Sequence, residues 1–155
     1  MLPRALTKYE FFISKINYKS LNSKRKEAYN YQKVSGVLAE YGFLTTRLSD
    51  DWEDADFLAL HISGETLKIH LKGRLYFSKK YFGKNLWICF HDKGNWFLCP
   101  HDEAFELVNH LNNISNTDSW NLKGVYHFPD LSKKLSELVK IYILHSSSLI
   151  PPETL

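Results

Sequence analysis

Three side chains that can carry out chemistry lie in the segment ADFLALHISGETLKIHLKGR, residues 55–74. Asp56 opens its first apolar run, and His70 and Lys72 share one face of the second because side chains alternate along a β-strand. In an antiparallel hairpin the start of the first strand lies beside the end of the next, so Asp56 is a neighbour of both. The three residues can then hold a divalent cation and a water molecule. The alternative is a purely structural cluster in which His70 and Lys72 both pair with Asp56.

Acidic and basic residues are segregated around this hairpin. Five acids fall within seven positions: Asp50, Asp51, Glu53, Asp54 and Asp56. Residues 66–91 contain no acid, and the bases there, which we call the basic strip, are Lys68, Lys72, Arg74, Lys79, Lys80 and Lys84. Such a strip, interleaved with aromatic residues, suits a nucleic-acid backbone; the alternative is a solvated strand edge whose lysines discourage edge pairing. The neighbouring acids favour the first, because carboxylates support phosphate binding when they hold a cation.

The hydrophobic pattern predicts a mixed sheet flanked by helices, an α/β or α+β domain. We expect one domain over residues 1–155, with a core at about 22–112 and a C-terminal helical extension at about 113–145. The segment RLYFSKKYFGKN, residues 74–85, is expected to be too polar and basic for the core. Predicted helices cover residues 6–16, 24–41, 102–111 and part of 128–144, and predicted strands cover residues 43–48, 56–62, 66–73, 85–90 and 96–100.

The hairpin resembles the motif of the PD-(D/E)xK nuclease superfamily, whose members have the restriction-endonuclease-like fold. ADFLAL is similar to the first half of that motif, with Ala55 at the proline position and Asp56 as the acid. IHLKGR is similar to the second half, with Lys72 as the lysine and His70 at the second acidic position. Imidazole is a softer ligand than carboxylate, so this departure favours Mn²⁺ over Mg²⁺. The resemblance covers about residues 22–112.

The resemblance implies a metal-dependent nuclease that hydrolyses nucleic-acid phosphodiester bonds, with DNA as the expected substrate. Asp56 and His70 are then the metal ligands, for Mg²⁺ or Mn²⁺, and Lys72 is the third catalytic residue. We expect a nucleic-acid-binding role for Gln32 on the first long helix and for Arg74, Lys79, Lys80 and Lys84. Two alternatives stay open: an inactive nucleic-acid-binding domain of the same fold, and a structural protein that self-associates. For the nuclease and for both alternatives, a homodimer is one possible assembly.

Other features of the sequence restrict the class of protein. The N-terminus has no signal-peptide pattern and no window is apolar enough to span a membrane, so we expect a cytoplasmic protein without a membrane partner. Cys89 and Cys99 have no disulfide or zinc-site spacing and are expected to be buried, reduced thiols. The sequence PHDE at 100–103 contains a His–Asp pair, but no motif places a nucleophile near it. We therefore predict that Asp102 caps a helix.

Overall fold

The computed structural model describes residues 2–146, and the chain divides into two compact units, Met1–Gln32 and Lys33–Leu155. In the first unit, helix α1 (Lys8–Ile13) is shorter than predicted and begins at a capping box. Thr7 Oγ1 accepts from the Glu10 N–H at 3.2 Å, and Glu10 Oε2 accepts from the Thr7 N–H at 2.9 Å. The long helix α2 (Ser23–Glu40) begins in this unit and ends in the next. Its start is capped by Asn22, whose side-chain oxygen accepts from the Arg25 N–H at 2.9 Å.

The second unit is built on a six-stranded sheet with the order β1-β2-β3-β5-β6-β8. Strands β3 and β5 are parallel and every other neighbouring pair in this sheet is antiparallel, which confirms the predicted mixed sheet. A separate two-stranded sheet joins β4 to β7. The strands are β1 (Phe43–Trp52), β2 (Ala55–His61), β3 (Thr66–Lys72), β4 (Tyr76–Ser78), β5 (Leu86–Asp92), β6 (Asn95–Pro100), β7 (Val125–His127) and β8 (Ile143–Leu144), and the remaining helices are α3 (His101–Asn112) and α4 (Lys133–Val139).

Helices flank the sheet, as the sequence predicts. On one face, the β5 side chains Leu86, Ile88 and Phe90 are buried in a core that includes Phe105 of α3 and Leu135 of α4. The opposite face carries buried Phe57, Ala59 and Ile69, because these residues alternate with Asp56 and His70 along β2 and β3. The later half of α2 lies alongside β1, where Thr45 Oγ1 donates to Ser35 Oγ at 2.9 Å. Gly42, with φ of 82°, ends that helix in the left-handed conformation, as predicted.

The segment 74–85 corrects one prediction, because it is part of the core. Leu75, Phe77 and Tyr81 are each no more than 2% exposed, whereas Lys79 and Lys80 face the solvent. The segment crosses one face of the sheet to connect the parallel strands β3 and β5, so its apolar side chains must cover that face. It contains β4, which pairs with a strand almost fifty residues later in the chain, and a 3-10 turn at Lys79–Tyr81.

The hairpin between β1 and β2 also differs from its prediction. Strand β1 does not end at residue 48 as predicted but continues to Trp52, with an irregular register between Arg47 and Trp52, so most of the acidic segment between the two predicted strands is itself strand. The turn itself is the dipeptide Glu53–Asp54, in which both residues have positive φ, 53° and 65°. Two central residues with positive φ are typical of a type I′ turn, which matches the twist of the flanking strands.

The structure confirms the predicted burial of the two cysteines and corrects the prediction for Asp102. Both cysteines are free and buried, and burial raises the pKa of Cys99 to about 12 and that of Cys89 further still. Asp102 is not the cap of α3: that position is Pro100, and Asp102 lies in the first turn of the helix. Within residues 2–146, the helices are all too short or too polar to cross a bilayer.

Candidate active site

Asp56 and His70 are brought together by the register of β2 and β3. Phe57 is paired with Ile69, so the preceding residue on β2 lies opposite the following residue on β3 and shares its face. Asp56 Oδ2 is 3.2 Å from His70 Nδ1, and the same oxygen accepts from the Leu71 N–H at 2.6 Å. The carboxylate is thereby fixed against the end of β3 by both a side chain and the main chain.

The imidazole of His70 has hydrogen-bond partners at both nitrogens. Nδ1 lies 2.8 Å from the main-chain oxygen of Asp54, and Nε2 lies 3.0 Å from the hydroxyl of Tyr81. The side chain is 14% exposed. Burial lowers the pKa of His70, opposed by the charge of Asp56 and reinforced by the charges of Lys72 and Lys80. A lowered pKa keeps this imidazole neutral at pH 7, which is the protonation state that a metal ligand requires.

Lys72 lies two residues beyond His70 on β3 and so points to the same face as His70 and Asp56. Its ammonium is 4.5 Å from the centroid of the Tyr76 ring, a distance at which an aromatic face attracts a cation. The side chain is partly exposed. The three residues therefore share one face where β2 begins and β3 ends, with Asp56 and His70 in contact and the ammonium of Lys72 over the ring of Tyr76.

The acidic turn contacts the basic strip directly. Asp54 accepts from two ammonium groups, with Lys84 Nζ at 2.6 Å and Lys80 Nζ at 3.1 Å, and Glu53 pairs with Lys68 at 2.6 Å. The hydrogen bond from Lys84 is the main reason that the pKa of Asp54 is lowered. Lys80 and Lys84 remain 60% and 41% exposed, so they can still reach a ligand in solution.

Asp54 and Tyr81 contact His70 but were not among the predicted site residues. The main-chain oxygen of Asp54 contacts His70, while its side chain contacts two lysines. The sequence signal for Asp54 is its place in the short polar connection between the two strands, since Asp tolerates the positive φ that such a turn needs better than most residues do. Tyr81 has no comparable signal, because its position depends on the crossover from β3 to β5.

Three further residues, Arg74, Lys79 and Gln32, were predicted to bind nucleic acid. Arg74 follows β3 and is exposed. Lys79 is exposed and its ammonium is 5.6 Å from the centroid of the Trp120 ring. Gln32 is exposed on α2, at the end of the first unit. Their roles stay predictions.

The donor atoms that would hold the implied divalent cation are His70 Nδ1, Asp56 Oδ2 and Asp54 O. Among residues 2–146, no three side chains of His, Cys, Asp or Glu form a metal-binding group. Two side chains and one main-chain oxygen do converge, since His70 Nδ1 is 2.8 Å from Asp54 O and 3.2 Å from Asp56 Oδ2. Ligands at right angles around a cation with bonds of about 2.1 Å lie about 3 Å apart. These donors fit a cation that accepts one nitrogen, such as Mn²⁺, better than they fit Mg²⁺.

The chain has only weak similarity to known proteins. No protein-family model matches the sequence, and the search of curated proteins finds no match. Among solved structures, the chain is similar to Hjc, a Holliday junction resolvase from the archaeal hyperthermophile Archaeoglobus fulgidus. The likeness covers 44% of this chain and 74% of that one, with 15% identity and a TM-score of 0.36. At those values it says nothing about the activity of this chain.

Proposed function

We propose that this chain is a metal-dependent nuclease that hydrolyses phosphodiester bonds, with DNA as the first substrate to test. The observation that carries the proposal is the position of Asp56, His70 and Lys72 on one face, where the start of β2 meets the end of β3. That is the arrangement expected from the resemblance of this hairpin to the PD-(D/E)xK motif. The exposed ammonium groups of Lys80 and Lys84 lie beside the same turn and can contact the phosphates of a bound strand.

Each residue has a distinct role in the proposed reaction. Asp56, His70 and the main-chain oxygen of Asp54 would hold the cation. When bound, it would polarise a phosphate oxygen and favour the ionised form of a water molecule. Lys72 would orient the attacking water and stabilise the charge that develops on the phosphate in the transition state. By resemblance to the family, the product carries a 5′-phosphate.

The test is cleavage of plasmid and single-stranded DNA in the presence of Mg²⁺ or Mn²⁺. We expect faster cleavage with Mn²⁺, and we expect His70→Glu to raise the Mg²⁺-dependent rate because it introduces a hard oxygen ligand. Asp56→Ala should abolish cleavage. Glu65→Ala is the matched control, because Glu65 is an exposed acid at the opposite end of the same hairpin. Wild-type protein that cuts neither substrate with either cation would contradict the proposal.

A second candidate is a nucleic-acid-binding domain of the same architecture without catalysis. It is favoured by one observation: both nitrogens of His70 already have hydrogen-bond partners within the protein. That arrangement needs no cation. DNA binding that weakens with salt, without Mn²⁺ binding and without cleavage, would favour this candidate over the nuclease.

A further inference from the structure

Tyr81 is a buried residue in contact with the candidate active site. It ends the 3-10 turn at Lys79–Tyr81 and is only 2% exposed. Its hydroxyl is 3.0 Å from Nε2 of His70, and the two rings lie 5.1 Å apart between centroids. The hydroxyl therefore has a fixed position relative to the nitrogen of His70 that points away from Asp56.

The partners of Nδ1 determine where the proton of a neutral His70 must be. Asp54 O and Asp56 Oδ2, at 2.8 and 3.2 Å, are oxygens that can only accept while the carboxylate is ionised. Without a cation, Nδ1 must therefore carry the proton and donate, which leaves Nε2 to accept from the hydroxyl of Tyr81. An unprotonated Nδ1 would place three lone pairs against one another.

Around a cation, His70 would exchange the roles of its two nitrogens. Nδ1 would present its lone pair, so the proton of the neutral imidazole would be on Nε2, where it would donate to the hydroxyl oxygen of Tyr81. A hydroxyl group can either donate or accept, whereas a carbonyl oxygen or a main-chain N–H can do only one of these. Tyr81 can thus serve His70 in both states without moving.

We infer that Tyr81 is a positioning residue that holds the ring of His70 and accepts either tautomer, so that Nδ1 can change from a hydrogen-bond donor to a metal ligand. The first half of this inference, that Tyr81 holds metal-free His70 with the proton on Nδ1, stands on the hydrogen bonds alone. The second half, that Nδ1 becomes a ligand, rests on the proposed function.

The experiment compares full-length wild-type protein with Tyr81→Phe, which removes the hydroxyl and keeps the ring. Isothermal titration with Mn²⁺ should show an affinity roughly 10-fold lower for the variant, because a bound cation would polarise the Nε2–H and make its bond to the hydroxyl stronger than the bond that Nε2 accepts in the metal-free protein. The nitrogen NMR signals of metal-free wild-type His70 should show the proton on Nδ1. In Tyr81→Phe the Nε2 signal should move toward that of a nitrogen without a hydrogen bond.

Tyr126→Phe is the matched control, because Tyr126 packs against the same core and its ring contacts Phe128 instead. It should leave both the Mn²⁺ affinity and the His70 signals unchanged. Equal Mn²⁺ affinity in wild type and Tyr81→Phe would overturn the second half of the inference. A metal-free His70 with its proton on Nε2 would overturn the first. If wild-type protein binds no Mn²⁺, the second half fails together with the metal-dependent function, whereas the metal-free spectra still decide the first.

Discussion

Two histidines contact Tyr81 and make an instructive comparison. The ring of His70 lies 5.1 Å from that of Tyr81, and the ring of His101 lies 5.3 Å from it. Each has a carboxylate beside Nδ1, Asp56 at 3.2 Å and Asp102 at 2.7 Å. Burial is also the main cause of a lowered pKa in both. By residue type, neighbours and pKa direction, the two are nearly alike.

The hydrogen bonds of the two histidines differ, and the difference distinguishes a histidine with a structural role from a candidate metal ligand. Nε2 of His101 accepts from the main-chain N–H of Ser78 at 3.1 Å, so its proton must be on Nδ1, which donates to Asp102. The other oxygen of Asp102 accepts from the Gly83 N–H at 2.9 Å. Only one arrangement of protons satisfies this chain of bonds, and it joins the first turn of α3 to residues 78–83. His70 has a hydroxyl where His101 has an N–H, so its Nε2 can accept or donate, and a second arrangement of protons would become available if Nδ1 bound a cation.

The largest expected effect is on stability. His101→Ala should lower the free energy of unfolding by about 3 kcal/mol, because it leaves a cavity and a buried Ser78 N–H without its acceptor. His70→Ala should lower it by only about 1 kcal/mol, since that side chain is at the edge of the core. Urea unfolding followed by fluorescence measures both, with the exposed His91→Ala as control. Equal losses at positions 70 and 101 would show that the two histidines contribute equally to the stability of the fold.

The next expected effect is a pH dependence of the free energy of unfolding, which His101 causes. Its folded-state pKa is lowered, so the unfolded chain takes up the proton first as the pH falls. Stability is therefore complete above about pH 6.5, the usual value for histidine, and decreases as the pH falls toward the folded-state pKa. Protonation would place an Nε2 proton against the Ser78 N–H, and Asp102 and Tyr81 are the titratable groups that contact this ring.

Urea unfolding at pH 7.5 and at pH 5.5 tests this expectation. In His101→Gln, the amide oxygen can accept from Ser78 and does not titrate, so the loss between the two pH values should be smaller than in wild type. His70 contributes in the same direction, because its pKa is lowered as well. If the loss of stability between the two pH values is the same in His101→Gln as in wild type, then groups other than His101 cause the pH dependence.

The contrast between the two histidines also shows where sequence reasoning works and where it stops. The sequence was enough to place His70 beside Asp56. The alternation of side chains along β3 sets the face of His70, and the short hairpin sets the register between the two strands. The environment of His101 was missed, since it depends on residues 74–85, whose buried face is determined by a crossover and by pairing with β7. Asp102 looked like a helix cap from its position, but its carboxylate bonds to His101 and Gly83 instead.

A smaller effect is expected on DNA binding at the basic strip. Lys80→Ala and Lys84→Ala should each weaken binding several-fold for all sequences, because phosphate contacts carry no base information. Each should also reduce the slope of log affinity against log salt concentration by about one unit. Fluorescence anisotropy over a range of salt concentrations measures both quantities. Lys140→Ala is the control, since Lys140 is exposed and pairs with Glu137 on α4. An unchanged slope would indicate a solvated edge.

The smallest effect concerns the carboxylate of Asp54, which contacts two lysines beside the candidate active site. Asp54 is ionised at neutral pH, the hydrogen bond from Lys84 lowers its pKa further, and it competes with phosphate for Lys80 and Lys84. Asp54→Asn removes that charge, and Asn tolerates positive φ and keeps the main-chain oxygen that His70 contacts. An exposed ion pair is worth about 0.5–1 kcal/mol, so DNA should bind roughly two- to fivefold more tightly.

Asp102→Asn is the matched variant for Asp54→Asn, because it removes the same charge beside His101. It should lower the free energy of unfolding and leave the affinity for DNA unchanged, since Asp102 bonds to His101 and Gly83. The same anisotropy titration, run at one low salt concentration, compares the two. Tighter DNA binding in both variants would mean that only overall charge matters. Tighter binding in Asp54→Asn alone would locate the nucleic-acid contact at the turn beside His70.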